Sequence, residues 1–300
     1  MDEPRRTVSS DVITRAYLDS LLVEMRHLDA VKPSTELKLY GKVFRTPVMT
    51  GALSHLDRIR PNGMVDMAAG ASQAGALDWS GMGSEEELDA MMATGATVIK
   101  IIKPYADRES ILRKIRYAEE RGALAVGIDI DHAFDRKNGY DVIGGVPMFP
   151  LSQQELADLV KSTSLPFVIK GVLSRQDARK CQDAGVQGMV ISHHNGRLDS
   201  AVPPLMILPE ILEETQGKVP LFVDCSLQTG LDVFKALALG ATACSVGRPL
   251  LGQLIAKGAE GVREVVEEIT RDLEYTMAMT CSENLRNIDR SVVRMGSFSW

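Results

Sequence analysis

The stretch PFVIKGVLSRQDARKCQDAGVQGMVISHH, residues 166–194, holds one complete unit of the fold. FVIKG is short and apolar with no polar alternation, as in a strand buried on both faces. SRQDARKCQDAG then reads as a helix that opens on Ser174 and stops at Gly185. GMVISHH is a second buried strand, and it runs straight into two histidines. A strand–helix–strand unit of this kind builds a parallel sheet covered by helices.

The same rhythm extends in both directions. Short apolar runs occur at TPVMTGA (46–52), ALDWSG (76–81), TVIKII (97–102), ALAVGIDID (123–131), FVIKG (167–171), GMVISHH (188–194), LFVDC (221–225) and ACSVG (243–247). Between them lie helical patterns. SEEELDAMMATG ends on a glycine stop. ESILRKIRYAEERGA places Ile111, Ile115 and Ala118 on one stripe. SQQELADLVKS carries a capping box of Ser152 and Glu155. TGLDVFKALALG and EGVREVVEEITRDLEYTMAM follow the same logic. Buried strands alternating with helices predict an α/β fold, a closed (β/α)8 TIM barrel. The chain reads as a single domain, 1–300. An N-terminal helical extension (1–40) contains a helix over ITRAYLDSLLVEMRHL, outside or under the barrel. The barrel covers 41–285, and 286–300 form a tail. A doubly wound open sheet would need a GxGxxG turn after a strand. GMGSEE (81–86) comes nearest and lacks the spacing.

Composition narrows the partners. A net charge of −6 argues against nucleic acid. Cys181, Cys225, Cys244 and Cys281 lie far apart and form no CxxC pair, which suits a reducing, cytoplasmic location. MDEPRRTVSS shows no secretory h-region. The longest apolar stretch, 236–256, is broken by Arg248-Pro249, so it reads as strand, turn and helix, not as a membrane span. The methionines Met49, Met64, Met67, Met82, Met91 and Met92 read as core filler.

In a barrel the chemistry sits where strands end. Those positions hold Ser54 and His55, then Trp79 and Ser80, then Lys100 and Lys103, then Asp129, Asp131 and His132. Further on come Lys170, then Ser192, His193, His194 and Arg197, then Asp224 and Cys225, and finally Ser245, Gly247 and Arg248. Any one strand end is polar because it meets water. Lys170 is the anomaly, since an ammonium inside an apolar strand is expensive unless it is paired or used. Successive strand residues face opposite ways, so of His193 and His194 one is expected in the site and one in packing. Cys225 reads as a buried, inert thiol.

Residues 163–280 resemble the FMN-dependent α-hydroxy-acid oxidases and dehydrogenases. PFVIKGVL with VISHHNGRLDS is similar to that family's lysine strand followed by S-N-H-G-G-R-x-L-D. VPLFVDCSLQTGLDVFKALALGATACSVGRPLL is similar to its D-G-G-I/V-R-x-G-x-D phosphate loop and later G-R-P. A fainter likeness runs upstream through RTPVMTGAL and DRESILRKIRYAEERGALAVGIDID. The resemblance implies the barrel, FMN, and oxidation of a 2-hydroxy acid. It makes His194 the base and Arg197 the carboxylate clamp. Lys170 becomes the partner of the reduced flavin anion, and Asp131 the aspartate that orients the histidine. Ser80, Lys170, Ser192, Asp224, Gly247 and Arg248 would meet the cofactor, the last three at its ribityl-phosphate end. Lys103 would join Arg197 in binding a small anionic substrate. The family also implies a homo-oligomer.

The departures from the family are specific. His193 replaces its asparagine and Asn195 its first glycine. Cys225-Ser226 stands for Gly-Gly, and Gln228 for the phosphate-loop arginine. Ile101 and Lys103 fall where the family has Gln-x-Tyr, and Asp129 where it has a flavin threonine. The family's N-terminal substrate tyrosine has no match, and Arg136 is the nearest candidate for its second substrate arginine. These changes sustain a second reading: a barrel that has lost FMN and binds a divalent metal. Asp129, Asp131, His132 and His194, with His55, His193 and Asp224 in reserve, offer carboxylates and imidazoles that suit Fe, Mn or Zn.

Overall fold

A computed structural model describes residues 8–136 and 139–296. Eight parallel strands form one sheet: β1 Val48–Thr50, β2 Asp78–Ser80, β3 Val98–Ile102, β4 Ala125–Asp129, β5 Phe167–Val172, β6 Gly188–Ile191, β7 Leu221–Val223 and β8 Ala243–Val246. Their order is β1-β8-β7-β6-β5-β4-β3-β2. The two ends meet, because the Thr50 N–H donates to the Leu77 carbonyl at 3.3 Å and Leu53 bridges Ser80. Every apolar run read as a strand is one, and the barrel is closed.

Alternation then decides what points where. Met49, Trp79, Ile101, Val168, Val190 and Phe222 fill the interior, with Trp79 edge-on to Phe222 at 5.4 Å. Their neighbours Val98, Val126, Ile169, Met189 and Val223 pack outward against the helices. Stepping in twos from the interior layer towards the strand ends reaches Lys103, Asp129, Lys170, Ser192, Asp224 and Ser245. The polar ring at the mouth is therefore the next layer of the same inward face. Ser80 and Lys100 have the opposite parity. The Lys100 ammonium donates to the Ser80 hydroxyl at 3.0 Å and to the Gly81 carbonyl at 2.6 Å, beneath the mouth.

The helices are α1 Ser10–Ser20, α2 Gly63–Gln73, α3 Glu85–Ala93, α4 Arg108–Glu120, α5 Gln153–Lys161, α6 Arg175–Asp183, α7 Pro204–Thr215, α8 Gly230–Ala238, α9 Arg248–Lys257 and α10 Ala259–Ala278. Helix α5 has the capping box of Ser152 and Glu155, and the Ile111, Ile115 and Ala118 stripe of α4 is fully buried. Helices α2 and α7 are absent from the sequence reading, because the methionines and glycines of one and the Pro209 of the other blur the periodicity.

In the N-terminal segment one expectation is corrected and one open choice is resolved. The helix ends at Ser20, where Leu21 turns extended, and Leu21–Val23 pairs antiparallel with Val293–Met295 of the tail. The tail strand satisfies the backbone that a longer helix would have satisfied internally. Helix α1 also lies beside the mouth, not under the barrel: Thr14 Oγ1 is 2.8 Å from His193 Nε2, and Asp11 is 3.2 Å from Arg248. The aromatic residues at the very end of the tail fall outside the described residues.

Helices α8 and α10 cross at Gly230, where an added Cβ would lie 2.1 Å from Leu273 N and 2.4 Å from Ile269 O. Gly230→Ala must push two backbones apart, at a cost of about 1–3 kcal/mol. We expect a melting temperature several degrees lower in a thermal scan, and an unchanged one would contradict this packing.

Candidate active site

Lys170 sits at the centre of the mouth, 5% exposed. Its Nζ lies 3.5 Å from Asp224, 3.9 Å from Asp129 and 3.3 Å from His194 Nδ1. Burial pulls the ammonium down, but Asp129, Asp224 and Asp131 outweigh that and hold it above its ordinary range. The anomalous lysine is thus a paired charge. Gly171, next in the chain, makes the geometry possible. The strand bulges there, its φ is +98°, and a Cβ would lie 2.7 Å from Asp131 Oδ2. Asp131 therefore packs directly on the backbone beside Lys170.

His194 closes the ring from β6. The strand ends at Ile191, and His194, Asn195 and Gly196 all take left-handed φ values of 49°, 58° and 91°. This turn, more than strand alternation, sends the two histidines apart. His193 is buried against Thr14 of α1, while His194 enters the mouth. Asparagine tolerates the left-handed region better than most residues, so Asn195 keeps the turn its glycine counterpart would make. His194 Nδ1 meets Asp131 Oδ1 at 2.8 Å and Asp129 Oδ1 at 3.2 Å. Burial and Lys170 depress the imidazolium, but the two carboxylates prevail and raise its pKa above the ordinary value. Burial favours the protonated form of Asp131 too, and its pKa is raised. Burial works the same way on Asp129, but Lys170 and His194 hold it well below the carboxylate range.

With Nδ1 committed, the reactive nitrogen of His194 is Nε2, and it lies 3.3 Å from His132 Nε2. His132 Nδ1 is in turn 3.1 Å from Asp141 Oδ2. The same Asp141 oxygen accepts from Arg197 Nη2 at 2.9 Å, and Arg197 also donates to the Phe134 carbonyl. The His194 and His132 imidazoles, the Asp141 carboxylate and the Arg197 guanidinium thus form one continuous chain. Burial and Lys103 push His132 down to about 4. Asp141 was not legible in advance, because it lies in a long loop with no periodicity to mark it.

Lys103 Nζ pairs with Asp129 Oδ2 at 2.6 Å, both nearly buried. Asp129, which stands where the family has a flavin threonine, is thus not a bare charge, because the ammonium two residues past Ile101 pairs with it. Lys103 is correspondingly less available to a substrate anion. Arg136 pairs outward with Asp199 at 3.1 Å and is 63% exposed, so it does not reach the mouth.

A cavity of about 490 Å3 opens beside this ring. Its wall is built from residues 51–53, Lys170, His194, Asn195, 224–228, Ser245 and 247–249. That size falls within the ~300–1,000 Å3 of cofactor and small-molecule sites. Lys170, Asp224, Gly247 and Arg248, which the resemblance gives to the cofactor, all line it. Ser80 and Ser192 do not. Ser80 holds Lys100, and the Ser192 hydroxyl accepts from the His194 amide at 2.9 Å. At the end away from Lys170, Arg248 opens helix α9, whose N-terminal amides favour an anion. Lys170, Asp224 and Arg248 along this wall suit a ring binder with an anionic tail, the chemistry of FMN. Cys225 and Ser226 hold left-handed φ values of 70° and 59° where the family has glycines, at roughly 1–2 kcal/mol each. Burial and Asp224 raise the Cys225 thiol, so it is an inert wall residue.

The metal reading draws on Asp129, Asp131, His132 and His194, whose donor atoms lie within 4.8 Å of one another. Lys103 and Lys170 already pair with Asp129, and Asp131 is held by His194. His55 and His193 do not join the cluster, and His193 is spent on Thr14.

The model of the FMN-dependent dehydrogenase family matches residues 11–153 and 142–295. Spinach glycolate oxidase is 28% identical over 307 residues, covering 90% of this chain and 82% of its own. The 4-hydroxymandelate oxidase of Amycolatopsis orientalis is 29% identical over 325 residues, covering 97% and 91%. A solved mandelate oxidase variant with (S)-mandelic acid superposes with a TM-score of 0.87 at 29% identity, over 97% of this chain and 92% of that one.

The two imidazoles should titrate in a fixed order. His132 titrates near 4, and His194 above its ordinary value. Nitrogen-15 NMR of the ring nitrogens checks this, and a His132 that protonates before His194 as pH falls would contradict the geometry. Since a base must be neutral, any rate that depends on His194 should rise with pH through that raised pKa and then level off.

Proposed function

This chain belongs to the FMN-dependent dehydrogenase family, and on that premise we propose that it oxidises small 2-hydroxy acids, with His194 as the base. It is an FMN-dependent oxidoreductase of the (β/α)8 class. Bound FMN supplies the acceptor for the hydride equivalent that leaves the substrate carbon. The residues of this chain do the rest.

The observation that carries this reading is the placement of His194. Its Nδ1 is held by Asp131, and its Nε2 faces His132, which Asp141 links to Arg197. Asp131 fixes the ring and the tautomer, so Nε2 offers the lone pair that takes the hydroxyl proton. The imidazolium that results is stabilised by the carboxylates that raise its pKa. Arg197 presents a planar guanidinium suited to a carboxylate. Asp141 pairs with one edge of that guanidinium, so a substrate carboxylate at Arg197 would lie beside Asp141 or compete with it. Lys170, Asp224 and Arg248 line the cofactor cavity, with Lys170 at the ring end to balance negative charge on a reduced flavin. Relatives named for glycolate and 4-hydroxymandelate support a small hydroxy acid as substrate. A cytoplasmic homo-oligomer is part of the same proposal. It is supported by the four unpaired cysteines and by the family resemblance.

Purified protein should be yellow, or become so with added FMN, and should turn over 2-hydroxy acids in a dye-reduction assay. His194→Asn and Arg197→Ala should each lower kcat/KM at least ~100-fold, the usual scale of an acid–base or anchoring group. A colourless protein that rejects FMN overturns the cofactor, and near-normal turnover in His194→Asn removes the base.

A further inference from the structure

The loop after β7 bends through two consecutive left-handed residues that are not glycine, Cys225 and Ser226, and both line the cofactor cavity. Something outside the loop must hold that bend. The surroundings identify it. Arg15 of α1 donates through Nη1 to the Ser226 carbonyl at 3.1 Å. The same guanidinium grips Asp232 with both terminal nitrogens, at 2.9 and 2.8 Å. Asp232 in turn accepts the Gln228 N–H at 2.9 Å and the Thr229 N–H at 3.2 Å. Asp19 fixes the far edge of Arg15 at 2.6 Å. One guanidinium–carboxylate pair therefore clasps a carbonyl and two amides of a single turn, with Asp232 almost fully buried.

We propose that Arg15 is a positioning residue for the cofactor's phosphate loop, holding the 225–228 turn in the shape that glycines would otherwise permit. The proposal rests on the FMN reading above. Arg15 does not line the cavity and acts only through the loop. A turn with φ near +60° to +70° is reached in two ways, by glycine, which has no Cβ to strain, or by external ties that over-determine the backbone. This chain carries the second solution. Neighbouring contacts agree with it. Thr14 pairs with His193 and Asp11 with Arg248, so three side chains of one short helix hold the loops after β6, β7 and β8. Helix α1 is in this sense a wall support of the cofactor site, though it contributes no residue to the cavity.

The test is thermodynamic linkage between Arg15 and the two left-handed residues. FMN and riboflavin are titrated by quenching of flavin fluorescence. The proteins are the wild-type chain, Arg15→Ala, Arg15→Lys, and Arg15→Ala combined with Cys225→Gly and Ser226→Gly. Arg15→Ala should weaken FMN at least ~10-fold, with a change below about threefold for riboflavin, which lacks the phosphate. Arg15→Lys should fall between, since an ammonium cannot reproduce the two-point grip on Asp232. Restoring the glycines should return FMN affinity to within about threefold of wild type, because the strain that Arg15 opposes is gone. FMN affinity unchanged in Arg15→Ala overturns the proposal, and so does a loss that the glycines fail to recover. Should Arg15→Ala not fold, Arg15→Lys with and without the glycines makes the same comparison. Hydrogen exchange of the Gln228 and Thr229 amides in the cofactor-free chain is read alongside. It should quicken when Arg15 is replaced, and unaltered exchange counts against the clasp. A wild-type chain that binds no FMN sinks the functional reading instead, and the exchange data still decide whether Arg15 holds the turn.

Discussion

Lys170 places a positive charge at the end of a buried strand, where little water can solvate it. Moving such an ion into a low-dielectric interior costs of order 20 kcal/mol in the idealised limit and still several after relaxation. The mouth of the barrel is arranged around that demand. Asp129 comes from the neighbouring strand and is paired in register with Lys170, and Asp224 comes from β7. Asp131 packs on Gly171 and holds His194. Removing any of these carboxylates leaves excess positive charge, and removing the lysine leaves repelling aspartates. The orientation of His194, the cavity wall at Lys170 and Asp224, and the strand bulge at Gly171 thus answer to one electrostatic constraint.

The same constraint explains how this chain tolerates unfamiliar residues at familiar positions. Asp129 would be an unfavourable neighbour for an electron-rich ring, but Lys103 arrives two residues beyond Ile101 and pairs with it at 2.6 Å. His193 would be an idle imidazole, but Thr14 engages it at 2.8 Å. Each substitution comes with a partner elsewhere in the chain. The fold keeps the shape of its relatives while these positions carry other residues. Asp141 is the least familiar member, since it joins His132 to Arg197 and stands on the guanidinium where a substrate carboxylate would bind.

Much of this was legible in the sequence, and the reasons are physical. The barrel was readable because doubly buried strands leave continuous apolar runs, and all eight runs are strands. Lys170 stood out because it violates such a run. His194 and Arg197 were found by motif, and the geometry does bring them to one mouth. The N-terminal helix was overextended, because Leu21–Val23 is apolar enough to continue a helix, and its true partner is some 270 residues away. The resemblance gives Ser80 to the cofactor, but strand parity turns it towards Lys100, which no local motif encodes. Pairings such as Lys103 with Asp129, Arg15 with Asp232 and Asp141 with Arg197 join distant segments. No local pattern encodes them.

The proposed function requires that a 2-hydroxy acid lose its hydride equivalent to FMN while His194 takes the hydroxyl proton. The most direct measurement is anaerobic mixing of the flavin-loaded enzyme with a small 2-hydroxy acid, protiated and then deuterated at Cα, with the visible spectrum followed in time. The account predicts that the flavin bands bleach, that bleaching is slower with the deuterated acid, and that its rate rises with pH through the pKa of His194. A loaded flavin that stays oxidised across a panel of 2-hydroxy acids would contradict it.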